Sequence, residues 1–402
     1  MKKLLGLLLV MTMAWPVTAS ADVLKNVDLK GEIQTIASDV RHNTRATDAA
    51  YNSGTNTRVL AGLSADLVED VRANILFQYV TAWNGNTQGD TVQNYWDNVR
   101  LAEANVVLSN LFCCLEATVG RQFYGDENSA VMYFGPKHYN AEPKFLAAES
   151  LDAVKLFYSD DLKSFTVIAG KTSGLGEEAG HDGASFYGMD FKLNLTDAFS
   201  AQVYGYNFRN VAIFNGQAYE EKDSGFYGAK VAFAPEAFSV SAEYARNFAG
   251  DRLVKEGHNT GYMVKADAAL NVLEKVTPRA TFLYAKEGFT AFGNYMPGLL
   301  VGQKFGGDIF AYSDEGVRLF NVGFDFKPYE KWTVSLDGYA FQGRNGHHAA
   351  TFEGDLTASY AHNDYVELFA GIGYAKYGND GTYKADYGRD NTKGQIGMLI
   401  NF

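Results

Sequence analysis

Cysteine and proline are scarce in this chain. Among its 402 residues there are 2 Cys and 7 Pro. Two cysteines cannot frame a small disulfide-built fold. Cys113 and Cys114 are adjacent, so they also lack the spacing of redox or zinc motifs. In an oxidising compartment they form either a strained vicinal disulfide or two free thiols in a turn, and both readings stay open. The few prolines come with no low-complexity run and no shift in composition, which excludes an obvious linker between two soluble domains. Beyond residue 21 no stretch approaches the roughly 18 apolar residues of a membrane-spanning helix. Cations are in deficit, 35 Lys and Arg against 47 Asp and Glu, which argues against a nucleic-acid partner. No Gly-x-Ser-x-Gly elbow is present, and the seven His lack a convincing catalytic neighbourhood. His347 and His348 are adjacent, so on a strand they would point to opposite faces and share no metal. Asp126-Glu127 and Asp314-Glu315 are read as solvated loop residues ahead of Ca²⁺ sites. No enzyme activity, metal or cofactor is therefore expected.

What is abundant is glycine and aromatic side chains: 41 Gly, 25 Tyr and 28 Phe, spread at even density. The chain opens with Met1-Lys2-Lys3, a short apolar run from Leu4, and Ala19-Ser20-Ala21. That is the pattern of a cleaved export signal, residues 1–21, with 22–402 as the mature part. The mature net charge is then about −14, because the two Lys of the signal are lost from the formal −12. The last stretch, Gly394 to Phe402, alternates by twos. Ile396, Met398, Ile400 and Phe402 fall on one face; Gln395, Gly397 and Asn401 fall on the other, with Leu399 as the exception. Period 2 marks a strand with one oily and one polar face.

The same alternation recurs along the whole chain. Strands are expected at 27–37, 56–65, from 71, 96–109, 115–122, 151–158, 164–171, 187–195, 199–208, 225–233, 238–245, 261–270, 276–285, 317–326, 332–341, 350–360, 365–375 and at the C-terminus. Short polar turns alternate with longer loops rich in Gly, Asn, Asp and Tyr. Tyr and Trp cluster near strand ends (Trp96, Trp332, Tyr79, Tyr158, Tyr284, Tyr360, Tyr374), as in interfacial aromatic belts. The expected fold is all-β, an antiparallel up-and-down transmembrane β-barrel of 18 strands, with 16 as the alternative count. The first and last strands must pair to remove both edges. A C-terminal Phe resembles the closing strand of Gram-negative outer-membrane barrels, where Phe402 would be read by the insertion machinery.

Three segments resemble the alginate-export-like family of outer-membrane barrels. They are Val119-Gly120-Arg121-Gln122-Phe123-Tyr124-Gly125-Asp126-Glu127, then Leu151-Asp152-Ala153-Val154-Lys155-Leu156, then Pro297 followed by Gln303-Lys304-Phe305-Gly306-Gly307-Asp308. Lys155 stands where that family has Arg, and Gln303 where it has His. The resemblance implies an 18-strand barrel working as a passive conduit. The family's alginate exporters have an arginine-lined lumen, which this chain does not show.

Taking the polar face of each strand as inward gives the pore-lining candidates. The cations are Lys30, Arg58, Arg72, Lys155, Lys192, Lys230, Lys265 and Arg279. The acids are Asp28, Glu32, Glu103, Glu116, Asp190, Glu243 and Asp267, and then a block on the fourteenth to seventeenth strands: Asp325, Asp337, Glu353, Asp355 and Glu367. No Lys or Arg shares the inward face of that block. One wall is thus mixed and the other acidic, which sets a transverse field across a channel. The alternative is that these charges only pair across strands, for example Lys192 with Lys230 and Asp190, inside a narrow or plugged lumen. The long loop 123–150, with Tyr124, Tyr133, Phe134 and Tyr139, is expected to fold inward as a constriction or to lie outside as a flap; loop 287–315 is similar. These features describe a porin passing small hydrophilic solutes through the outer membrane, in contact with lipid and lipopolysaccharide and open to homo-oligomerisation. The alternatives are a structural or surface-interaction barrel with a blocked lumen, or an exporter of an anionic polysaccharide.

Overall fold

A computed structural model describes residues 25–42, 54–83, 99–112, 114–138, 148–173, 184–214, 219–248, 261–271, 273–286, 289, 291–295, 297–302, 316–343, 350–376 and 390–402. Eighteen strands form one closed antiparallel barrel. In chain order they are β1 (Lys25–His42), β2 (Gly54–Val68), β3 (Val71–Ala82), β4 (Arg100–Leu111), β5 (Leu115–Gln122), β6 (Ser150–Ser159), β7 (Lys163–Ser173), β8 (Ser185–Asn194) and β9 (Phe199–Phe214). Then follow β10 (Tyr219–Phe233), β11 (Phe238–Phe248), β12 (Tyr262–Leu270), β13 (Val276–Ala285), β14 (Val317–Phe326), β15 (Trp332–Gly343), β16 (Thr351–Asn363), β17 (Val366–Lys376) and β18 (Asp390–Asn401). Each strand pairs with the next, and β18 returns to β1. The count of 18 holds; 16 does not.

Eight connections at one end span two to five residues, and the longer ones lie at the other end. Several strands reach farther toward the long-loop end than the alternation alone places them. β1 runs to His42, and β9 and β10 run to Phe214 and from Tyr219 across a bulge between Phe208 and Val211. Backbone pairing carries these hairpins past the apolar stripe, because a ladder hydrogen bond is satisfied whichever way the side chains divide. The expected start at Trp96, the signal segment 1–21, Tyr139, Cys113, His347-His348, Asp314-Glu315 and the 303–308 part of the family resemblance lie outside the described residues.

The outer surface explains why this is a transmembrane barrel. Phe324, Leu336, Leu356 and Ile372 stand in one cross-strand row on β14 to β17. Each exposes between 45% and 56% of its surface. Rows like this continue round the wall, with Leu29, Met189, Val203, Phe320 and Ile396 all exposed. A water-soluble chain rarely leaves so continuous an apolar band bare, whereas hydrocarbon rewards it.

Closure is made by the C-terminus. Gly31 N–H donates to the Phe402 carbonyl at 2.7 Å, and Phe402 N–H donates back to the Gly31 carbonyl at 3.0 Å. The Phe402 ring lies over Gly31 so closely that a Cβ there would sit 2.3 Å from Phe402 Cζ. Leu399, the exception in the closing strand, turns inward and packs with Ile36 and Phe369.

Candidate functional site

A barrel of this size encloses more space than its own side chains fill. Here two loops fold into it. The segment after β5 forms a short ribbon, Tyr124–Gly125 against Tyr133–Phe134. The segment after β13 runs beside it: Phe292 N–H donates to the Val131 carbonyl at 3.0 Å, Tyr133 N–H to the Phe292 carbonyl at 2.7 Å, and Asn294 N–H to the Ser129 carbonyl at 2.9 Å. Gly293 permits this approach, since a Cβ there would lie 2.3 Å from the Ala130 carbonyl carbon.

The joined loops bury an apolar face against the inner wall, in a cluster that runs from β6 to β15 and also takes in β17 and β1. Val131, Met132 and Phe134 pack with Phe186, Phe208, Phe226, Met263, Leu283 and Phe289 in one cluster. Ring centroids of Phe208 and Phe292 are 4.1 Å apart, and those of Phe186 and Phe208 are 4.8 Å apart. The inward-facing Phe residues of β8, β9 and β10 interrupt the polar face that the alternation assigns to the lumen. A run of aromatics on that face was the available signal. Loop 123–150 is therefore inside the barrel rather than an exterior flap, as far as its described residues reach. Tyr124 makes edge-on contact with Phe186 and lies 3.4 Å from Tyr206 through their hydroxyls. Burial, helped by Asp190 and opposed by the Tyr206 hydroxyl, pushes the Tyr124 hydroxyl up to about 12. Tyr133 and Phe134 are buried in the same plug.

A polar latch ties this loop to the opposite wall. Arg58 on β2 is fully buried. It donates to Glu32 on β1 at 2.5 and 3.0 Å and to the Lys137 carbonyl at 2.8 Å. His138 places Nε2 at 2.7 Å from Glu32 and Nδ1 at 2.7 Å from Glu127. Both ring nitrogens face carboxylates, so both serve as donors and the ring is an imidazolium. Burial alone would lower the His138 pKa, but the hydrogen bonds to Glu127 and Glu32 and their charges outweigh it and lift it to about 9.

On the other side the lumen stays open as a polar cavity of ≈ 660 Å³. Its lining comes from both loops (Glu127, His138, Asn294, Tyr295, Leu299) and from β13 to β18, including Arg279, Asp337, Tyr339, Asp355, Glu367 and Gln395. The wide helical turn Gly298–Gly302 is held over this wall by carboxylates. Leu299 N–H donates to Asp355 at 2.8 Å and Leu300 N–H to Glu353 at 2.6 Å. Gly298 has φ 82°, and a Cβ there would lie 2.7 Å from Glu353 Oε1.

The acidic block is where the alternation put it, and no Lys or Arg of β14 to β17 faces inward among the described residues. It is not unneutralised, however. Arg279 of β13 reaches across to Asp325 at 3.1 Å and Asp337 at 2.6 Å. Gly323 leaves the path clear, since a Cβ there would lie 2.9 Å from Arg279 Cζ. A strand-by-strand reading misses this because a long arginine spans two registers. Asn321 and Ser335 complete the group by donating to Asp337 and Asp325 at 3.1 and 2.7 Å.

The remaining candidates point inward and make local pairs. Lys30 lies 3.4 Å from Asn74. Arg72 joins Asp28, Ser64 and Asp66 at the short-turn rim. Glu103 and Lys30 border one small recess. Lys155 faces Glu116 at 3.9 Å. Lys265 bonds Asp267 at 2.8 Å and lies 4.6 Å from the Tyr295 ring centroid. Lys230 stands opposite Glu243, which accepts from Tyr204 at 2.6 Å. The Lys192–Lys230–Asp190 ladder, an example of the alternative in which charges only pair across strands, does not form. Gln202 stands between the two lysines in register and donates instead to Asp190. Asn391, Lys393 and Gln395 also face inward on β18; Gln395 belongs to the polar face of the closing alternation, and Asn391 and Lys393 extend it ahead of Gly394. Cys114 is a free, exposed thiol in the β4–β5 turn. Asp126 accepts from Asn128 N–H at 2.9 Å, which caps its own turn. Among the described residues no group of three His, Cys, Asp or Glu is placed to hold a metal ion.

No protein-family model and no curated protein matches this chain. Solved barrels do. The chain is similar to OccAB1 of Acinetobacter baumannii, with a TM-score of 0.65 at 10% identity over 96% of this chain and 99% of that one. It is similar to OccK8 (OprE) of Pseudomonas aeruginosa, with a TM-score of 0.63 at 9% identity over 95% and 99%. OccK11 (OpdR) of the same organism gives 0.62 at 11% identity over 94% and 97%. Likeness at such identity concerns the fold. The resemblance to the alginate-export-like family is not confirmed by these matches. The chain is an 18-stranded transmembrane β-barrel, built like these Occ barrels over nearly its whole length.

Proposed function

We propose that this chain is a porin of the Gram-negative outer membrane, passing small hydrophilic solutes and ions down their gradients, without an energy source or cofactor. The observation that carries this reading is the off-centre polar cavity of ≈ 660 Å³ left beside the loop plug in a closed barrel. The plug fills part of the lumen with apolar side chains, so solutes travel through the remaining cavity, along the carboxylates of β14 to β17. Low-dielectric packing on one side and charge on the other focus the field along that route. At the long-loop end, Arg121, Lys171 and Arg209 occupy one outward row with Asp152 and Ser185. Its cations would suit the phosphates of lipopolysaccharide as partner.

An arginine-lined path for a polyuronate is not supported, because carboxylates outnumber cations along the cavity. A blocked barrel is the competing reading, and the extent of the apolar cluster favours it. Liposome swelling separates the two. Refolded protein in sugar-loaded vesicles is expected to admit pentoses and hexoses and to slow sharply with trisaccharides. Folded protein that admits no sugar and no salt would leave the blocked barrel.

A further inference from the structure

We propose that the lumen contains a binding subsite for organic cations bearing ammonium or guanidinium groups, between the Gly298–Gly302 turn and β15 to β18. Access to it rests on the porin reading; the site itself rests on separate observations.

The first observation is charge. Asp337, Asp355, Glu367 and Glu127 line the cavity, against Arg279 and His138 as its cations. Both cations are committed, Arg279 to Asp325 and Asp337, His138 to Glu32 and Glu127. Lys393, buried on β18, has an interaction of its own. The second observation is independent of charge. Three acceptor oxygens have no donor: Asp355 Oδ1, Asn294 Oδ1 and Gln395 Oε1. Their residues are only 3%, 6% and 8% exposed. They come from β16, the second loop and β18, and all three line the same cavity. A buried acceptor left without a donor has lost its hydration and gained nothing in return. A solute that brings several N–H donors and a positive charge suits acceptors of this kind: an ammonium carries three donors and a guanidinium five. Tyr339 also lines the cavity, and an aromatic ring favours a cation. The cavity volume is that of a small-molecule site, whose range is about 300–1,000 Å³.

The test uses 1,4-diaminobutane as probe and 1,4-butanediol as its neutral counterpart, added to single channels of the full protein in KCl. Diaminobutane is expected to interrupt the current in resolved events that the diol does not produce. Asp355→Asn keeps an oxygen for Leu299 N–H and should shorten the interruptions at least tenfold. Gln395→Leu, on another strand, should shorten them severalfold and guards against a folding defect in the first variant. Equal effects of diamine and diol, or wild-type dwell times in both variants, would overturn the subsite. If the folded barrel carries no current, calorimetric titration with diaminobutane decides. Heat that disappears in Asp355→Asn keeps the subsite while the porin reading falls, and no heat removes the subsite as well.

Discussion

Raising the pH should release the first loop from the barrel wall. His138 is the group that responds. It is faced by Glu32 of β1, which Arg58 of β2 also bonds, and by Glu127 of its own loop. Its folded pKa of about 9 lies above the ordinary 6.5. A raised pKa means that the docked loop binds the proton more tightly than the free loop. The docking energy is therefore fully present below pH 6.5 and is lost as pH climbs through about 9. The separation of the two values corresponds to about 3.4 kcal/mol, or about 300-fold in the ratio of docked to undocked loop. The assay is open-channel current noise from pH 6 to pH 10.5. Quiet openings below pH 8 should give way to noisy, larger openings with a midpoint near 9. In His138→Gln one donor remains and no charge, so noise should be high already at pH 7 and flat with pH. A flat wild-type profile, or the same transition in His138→Gln, would refute the reasoning.

Other consequences follow from the same geometry. Glu32→Gln leaves the buried Arg58 guanidinium without its carboxylate, which costs about 3–5 kcal/mol for a broken buried pair; the urea midpoint of the refolded barrel should fall. Phe208→Ala empties a fully buried ring from the plug, at about 3–5 kcal/mol of packing, and single-channel conductance should rise as the plug loosens; an unchanged conductance would place the plug away from the conduction path. Leu356→Arg puts a charge on the lipid-facing row at about 2–4 kcal/mol, so insertion into vesicles should drop while the same change at Lys376, already charged and outward, should do little. Gly31→Val forces a side chain into the Phe402 ring and should abolish the heat-modifiable folded band on gels.

Much of the barrel was legible because β-strands write their environment with period 2. Tyr187, Met189, Phe191 and Leu193 against Asp190, Lys192 and Asn194 assign both faces of β8 without a structure. The C-terminal alternation gave both the closing strand and its outward face. Leu399 broke the pattern, and the reason is local: it fills a small apolar pocket with Ile36 and Phe369 on the inner wall. The inward charges were readable for the same reason. What they touch was not. Arg279 crosses two strands because Gly323 leaves room, and nothing in the alternation measures that reach. The loops carry no period, so Val131, Met132 and Phe134 could equally have been an exterior hydrophobic flap. Only the facing Phe186, Phe208 and Phe226, three aromatics on the face expected to be polar, hinted that something apolar would be received there.

The central claim is an open path displaced to the acidic wall, and reversal potential tests it most directly. Purified, refolded protein in a planar bilayer under a KCl gradient should give steady current steps with a cation-leaning reversal potential. Replacing Asp337, Asp355 and Glu367 together by Asn and Gln should move that potential toward zero. Anion selectivity, a potential indifferent to the triple substitution, or silence from folded protein would contradict the account.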